Sequence, residues 1–293
     1  MNTFRSALLS LAGLSLMSTP ALAGHHEEGE MQHGDMMHAG HHALHTVLMS
    51  DIRAEDRARD KYRNPAETLM FFGITPDMKI GEYGPGGGWY TRVLLPYVAD
   101  TGAYAGINAD VDRYMAGADA DRMASAKQFP DTFPARAAEW TGIDASKIGA
   151  FEIDEPPEEE LGTFDAILVF RSLHGLTSRE MVDSTLAQTY ALLKPGGVVG
   201  VVQHRAPEDS SYEFSQGDYG YLKQDQIIGI FESEGFELIG MSEVNANPMD
   251  PADHEGGVWT LPPTLRFGDE NRETYEAIGE SDRMTLLFRK PGA

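Results

Sequence analysis

The chain has 293 residues, and Asp plus Glu outnumber Lys plus Arg by 46 to 23, for a formal net charge of −23 at pH 7. That length suits one large domain or two small ones, and so negative a surface repels phosphate backbones and anionic lipid, which argues against nucleic acid or a membrane surface as partner. The lack of cysteine excludes disulfides, thiolate metal sites, a cysteine nucleophile and a lipoprotein anchor.

Residues 1–23 join a cation at Arg5, a short apolar run from Ala7 to Met17 and an Ala21-Leu22-Ala23 pattern. These are the parts of a cleavable signal peptide, and the run is too short for a comfortable membrane span. The expectation is a periplasmic or secreted protein, not held to a membrane after cleavage. No twin-arginine pair is present, so the chain is expected to cross unfolded. Residues 24–46 carry His25, His26, His33, His38, His41 and His42 among several methionines. Imidazole and thioether suit copper, and imidazole also suits nickel or zinc, but no ligand spacing recurs. With Gly29, Gly34 and Gly40, the segment reads as a flexible linker with weak metal affinity.

From residue 47 the pattern is that of a folded domain running to residue 293. A helix is expected over residues 51–64 and a second from Pro65, with Asn64 as its cap and Gly73 ending it. Lys79–Tyr83 reads as a strand, residues 89–99 as a helix and residues 102–108 as a strand. Residues 111–140 look largely helical, and residues 148–153 extended. The apolar run Phe164–Phe170 suits a central strand covered on both faces. A helix over residues 178–193, a turn at Lys194–Gly197 and a strand at Val198–Gln203 follow. Residues 223–234 read as a helix, 236–244 as a strand and 284–288 as a last strand. Alternation of this kind indicates an α/β sandwich with a mainly parallel sheet.

The chemically informative segment is Glu82-Tyr83-Gly84-Pro85-Gly86-Gly87-Gly88. It joins a strand end to a helix start, where open α/β sheets bind ligands, and its glycines let a ligand approach the backbone. The sixth position from Gly84 is Trp89, so the dinucleotide fingerprint fails; the lysine of a phosphate-binding loop is also missing. The spacing found, E-x-G-x-G-x-G, resembles the first motif of class I S-adenosylmethionine-dependent methyltransferases. Phe164–Ile167 resembles the start of that family's fourth-strand motif, and Leu192–Gly197 the turn before its fifth strand. Four blocks resemble a subgroup of exported methyltransferases: Arg63–Leu69, Pro85–Tyr90, Gly257–Pro263 and Ile278–Met284.

The resemblance implies a Rossmann-like, doubly wound sheet of order 3-2-1-4-5-7-6 with strand seven antiparallel. It implies S-adenosyl-L-methionine as cofactor, a small-molecule methyl acceptor, and Glu82, Gly84, Gly86 and Gly88 around the cofactor. The usual ribose-binding acid is replaced by Asn108, with Asp110 two residues on; Asp154 would stand near the adenine. At the same sheet edge, Arg171 could hold an anionic group, and His174 or His204 could take a proton. Asn245, Asn247, Asp250 and Glu280–Arg283 flank a long segment between the last two strands, in which Trp259 could stack on a substrate. Two other readings stay open. One is a non-catalytic binding protein on the same fold, since unfolded export leaves the cofactor behind; the other is a metal-handling protein acting through its His/Met-rich segment.

Overall fold

The computed structural model describes residues 40–292. The signal peptide and the metal candidates His25, His26, His33 and His38 therefore lie outside the described residues. Residues 40–48 form a helix, α1. The flexible segment expected through residue 46 is thus ordered at its end, because Leu44 and Leu48 bury themselves against the domain.

The single helix expected over residues 51–64 is replaced by two 3-10 turns, Asp51–Arg53 and Arg57–Arg59, and a short α2, Asp60–Arg63. The cause is Arg53, whose side chain is fully buried and bonded to Leu48 O at 3.2 Å and to both oxygens of Asp60 at 3.1 and 2.7 Å. Helix α3, Pro65–Phe71, begins at proline as expected and ends before Gly73 at φ 70°. Asn64 does not cap it by side chain; its amide instead donates to Val244 O at 2.6 Å.

The sheet contains β1 (Lys79–Tyr83), β2 (Ala103–Asn108), β3 (Ile148–Glu152), β4 (Phe164–Phe170) and β5 (Leu193–Ala206). The two-residue β6 (Leu222–Lys223), β7 (Glu237–Ser242) and β8 (Arg283–Arg289) complete it. The order is β3-β2-β1-β4-β5-β8-β7, with β6 on the end of β5. Leaving β6 out of the count, this is the expected 3-2-1-4-5-7-6. Strands β1 to β5 run parallel and β8 runs antiparallel between β5 and β7. Lys194–Gly197, expected as a turn before the strand, is looped out within β5: Phe164 pairs with Leu193 but Ala166 with Val198.

Strand alternation divides the core into two layers. Ile167 and Val169 of β4 face one layer, together with Val199, Val201, Leu286 and Phe288. Helices α8 (Leu173–Thr177), α9 (Val182–Leu192) and α10 (Gln224–Ser233) cover it. Ala166, Leu168 and Phe170 face the other, beneath α1, α3, α4 (Thr91–Val98) and α7 (Phe129–Thr141). Each large apolar side chain so buried contributes about 2 kcal/mol, which is why the continuous apolar run of β4 falls at the centre of the sheet. Helices α5 (Val111–Tyr114), α6 (Ala120–Lys127) and α11 (Arg272–Ile278) lie in the longer connections. The expected helix over residues 178–193 starts later, because Glu180 sits at φ 56° and separates α8 from α9. Among the described residues no helix is long and apolar enough to cross a membrane.

Candidate active site

The parallel strands end along one rim, and the loops that leave it enclose two adjoining cavities of about 470 and 390 Å³. Gly84, Pro85, Gly86, Arg171, Ser172 and His174 line both. This shared wall is the loop after β1 facing the loop after β4.

The glycine loop forms because β1 must turn sharply into α4. Gly84, Gly86 and Gly88 take φ of 63°, 54° and 76°, which L side chains rarely adopt. Their roles differ. A Cβ on Gly84 would stand 3.0 Å from Ser172 Oγ; one on Gly86 would meet only Gly84 O, at 3.8 Å, and one on Gly87 nothing within 4 Å. These positions leave room for a ligand against bare backbone. Gly88, expected beside the cofactor, instead packs under Trp140, which a Cβ there would strike. Glu82 is buried beneath the loop, and its Oε2 accepts from Thr91 Oγ1 at 2.7 Å and Tyr104 OH at 2.5 Å. Burial pushes its carboxyl up to about 7, against the pull of those hydroxyls.

The smaller cavity is lined by Asn108 at the end of β2 and by the aromatic rings of Tyr114 and Phe129. The Asn108 side chain has no hydrogen-bond partner among the described residues, leaving donor and acceptor free for a hydroxyl. Asp110 does not line either cavity; its carboxylate caps α5 by accepting from Arg113 N at 3.0 Å. Asp154 is exposed and also stands off the lining, its carboxyl raised by partial burial and then by neighbouring acids. The open backbone at Gly86, a free amide and two aromatic rings fit the methionine, ribose and adenine parts of S-adenosylmethionine. They are the residues that would hold it.

The larger cavity draws on all four of the separated blocks noted in the sequence. Arg63 comes from the first, Trp89 and Tyr90 from the second, Val258, Trp259, Pro262 and Pro263 from the third, and Glu280, Ser281 and Arg283 from the fourth. Tyr90 stacks on Phe170, ring centroids 3.4 Å apart at 6°. Trp89 does not fill the space; it lies under Arg53 and Arg63, whose guanidinium carbons are 4.9 and 4.6 Å from its ring. Glu280 gathers cations: Arg59 Nε donates at 2.6 Å, Arg63 Nε at 3.1 Å, and Arg283 Nη2 also donates to it. Burial alone would raise the Glu280 carboxyl, but Arg283, Arg63 and Arg59 together hold it down to about 2.

Arg171 enters the left-handed region at φ 56° and lines both cavities. His174 and His204 stand 5.8 Å apart by ring centroid, and Trp259 is 5.8 Å from His174. Burial, with Arg171 nearby, holds the His174 imidazole at about 4, so the ring is neutral near pH 7. Gln203 Nε2 is anchored on Gly220 O at 2.9 Å and faces His174 Nδ1 at 3.4 Å. That arrangement assigns the ring proton to Nε2. His204 lies within β5 rather than after it, is pushed well below its usual range by burial and then by Arg283, and shares its Nδ1 with Ser281 Oγ at 2.5 Å.

Asn245, Asn247 and Asp250 brace the long segment between β7 and β8. Asn245 Nδ2 donates to Thr68 and Thr285, Asn247 Nδ2 to Ile278 O and Glu280 O, and Asp250 accepts from Asp282 N, Ala252 N and Tyr221 OH. Sequence reasoning missed Arg59 and Arg63 as site residues, although the first block contains Arg63. It singled out neither Trp89 nor Tyr90 as cavity walls. His41 and His42 are exposed on α1, and among the described residues no group of three or more His, Cys, Asp or Glu is arranged to hold a metal ion.

No known protein-family model and no curated protein matches the chain. Solved structures do. The [4+2]-cyclase SpnF is similar over 84% of this chain and 86% of its own, at 17% identity and a TM-score of 0.50. A Galdieria sulphuraria protein assigned as a sarcosine dimethylglycine methyltransferase covers 82% of this chain and 87% of its own, at 16% identity and a TM-score of 0.50. The fold is that of class I methyltransferases. A cyclase among proteins of this shape illustrates that the architecture does not choose the reaction, so function has to be read from the two cavities.

Proposed function

We propose that the protein is an S-adenosylmethionine-dependent methyltransferase acting on a small molecule, with the cofactor in the smaller cavity and the acceptor in the larger. The observation that carries this reading is the shared wall. Groups bound in the two cavities would meet across Gly84–Gly86, Arg171, Ser172 and His174.

S-adenosylmethionine, when bound, supplies a methyl group already activated on a sulfonium sulfur. The protein's part is to align the acceptor and exclude water. Tyr90, Phe170 and Trp259 supply apolar walls. Arg171 orients an acceptor by charge. His174, neutral with its proton on Nε2 and its Nδ1 occupied by the Gln203 amide, donates to an acceptor oxygen and so orients it. His204, bonded to Ser281, supports the same edge.

Calorimetry with S-adenosylhomocysteine is expected to show micromolar binding, and silence at millimolar concentration would remove this reading. Turnover of methyl-labelled cofactor with a small-molecule extract then separates an enzyme from a binding protein. Export belongs to the same proposal: the mature chain recovered from the periplasm should begin at Gly24. A chain still starting at Met1 would end that part of it.

A further inference from the structure

Five arginines, Arg59, Arg63, Arg92, Arg171 and Arg283, line the larger cavity, against three carboxyl groups, Asp56, Glu82 and Glu280. Arg92 is matched by Asp56 through two bonds of 2.6 and 2.8 Å. Glu82 is turned to Thr91 and Tyr104 and, near pH 7, carries only part of its charge. Glu280 alone answers Arg59, Arg63 and Arg283. The Arg171 side chain has no hydrogen-bond or ion-pair partner among the described residues. Arg59 Nη2, Arg63 Nη1 and Arg283 Nε are also buried without a partner there. Arg63 and Arg283 are each only 2% exposed.

A chain of net charge −23 has thus concentrated unanswered positive charge in one cleft. Like charges repel, and burial with Arg63 and Arg283 nearby pushes the Arg171 guanidinium well below its ordinary range. A positive surplus of this kind attracts an anion. Guanidinium groups present forked donors that match the oxygens of a carboxylate or phosphate.

Resting on the methyltransferase reading, we propose that the methyl acceptor is a small molecule bearing an oxyanion group, held by Arg171 together with Arg63 and Arg283. Arg171 lines both cavities, so an acceptor anchored there has its remaining atoms beside the wall that separates it from the cofactor. The apolar surfaces of Tyr90, Phe170 and Trp259 leave space for an unsaturated or aromatic body. The acidic exterior makes the cleft selective, since weakly bound anions are repelled from the rest of the molecule.

The test is titration calorimetry of the mature chain with inorganic phosphate and, separately, with benzoate, at constant ionic strength, each with and without saturating S-adenosylhomocysteine. At least one anion is expected to bind while S-adenosylhomocysteine is bound, and the tighter of the two identifies the headgroup as phosphate or carboxylate. Arg171→Met should weaken that binding at least ten-fold and raise the melting temperature, because it removes a half-buried, unpaired charge beside two other guanidinium groups; a merely structural arginine would lower it. Two results overturn the proposal: neither anion binding at 10 mM, or anions binding only when S-adenosylhomocysteine is absent, which would assign the arginines to the cofactor's own carboxylate. Anion binding without any S-adenosylhomocysteine binding would instead keep the oxyanion site and remove the methyltransferase reading.

Discussion

The two cavities share a wall but are built by different physics. The smaller is framed by backbone: glycines at positive φ, the end of β2, and two aromatic rings. The larger is framed by charge: side chains from four distant segments that converge on the Glu280 carboxylate and leave guanidinium groups in surplus. A backbone-framed pocket depends on local conformation, so its sequence signal is short. A charge-framed pocket depends on which loops meet, and its signal is scattered.

Removing the shared carboxylate should have the largest effect. Glu280→Gln leaves Arg59, Arg63 and Arg283 without a counter-charge, and is expected to lower stability by about 3–5 kcal/mol in denaturant unfolding. A loss under about 1 kcal/mol would mean that the cluster is solvated and the contrast between the cavities overdrawn.

Next comes Glu82, which lines the larger cavity. Its carboxyl rises from the ordinary 4.5 to about 7 in the fold. The unfolded chain therefore loses its proton first, and stability from this group falls as pH climbs through that window, by about 3 kcal/mol at 1.36 kcal/mol per unit. Glu82→Gln should abolish that fall, so the variant gains on the parent up to about pH 7 and holds a constant lead beyond it. Parallel stability–pH curves would refute the assignment. His174, held low by burial, acts with the opposite sign and is present in both proteins, so the difference curve isolates Glu82.

The glycine loop offers a matched pair. Gly88→Ala drives a methyl into Trp140 from a left-handed backbone, with an expected cost of about 1–3 kcal/mol in thermal unfolding. Gly87→Ala meets nothing within 4 Å and should change stability by less than about 0.5 kcal/mol, while weakening anion binding in the larger cavity, which Gly87 lines, as measured by calorimetry. If the two variants behaved alike, the loop would be a plain structural turn.

Much of the architecture was legible from periodicity. The apolar run of β4 and the alternation of strand and helix signals determined an α/β sheet, and the spacing Glu82–Gly88 placed a ligand loop at its first strand end. The resemblance to class I methyltransferases supplied the strand order. Local patterns misled where a tertiary contact overrode them. Residues 51–64 have helical composition, yet buried Arg53 and its partner Asp60 fold them into tight turns. Asp110 looked like a ribose ligand by position but closes the first turn of α5. Gly88 looked like a cofactor glycine but makes room for Trp140.

The sequence by itself determined what depends on near neighbours: element type, the bend after β1, and an acidic chain whose basic residues are outnumbered 46 to 23. Only the tertiary structure decided where the arginines go. Arg63, Arg171 and Arg283 are separated by more than a hundred residues at each step, and no local rule relates them. They meet because the N-terminal segment, the end of β4 and the start of β8 all reach the same rim of the sheet.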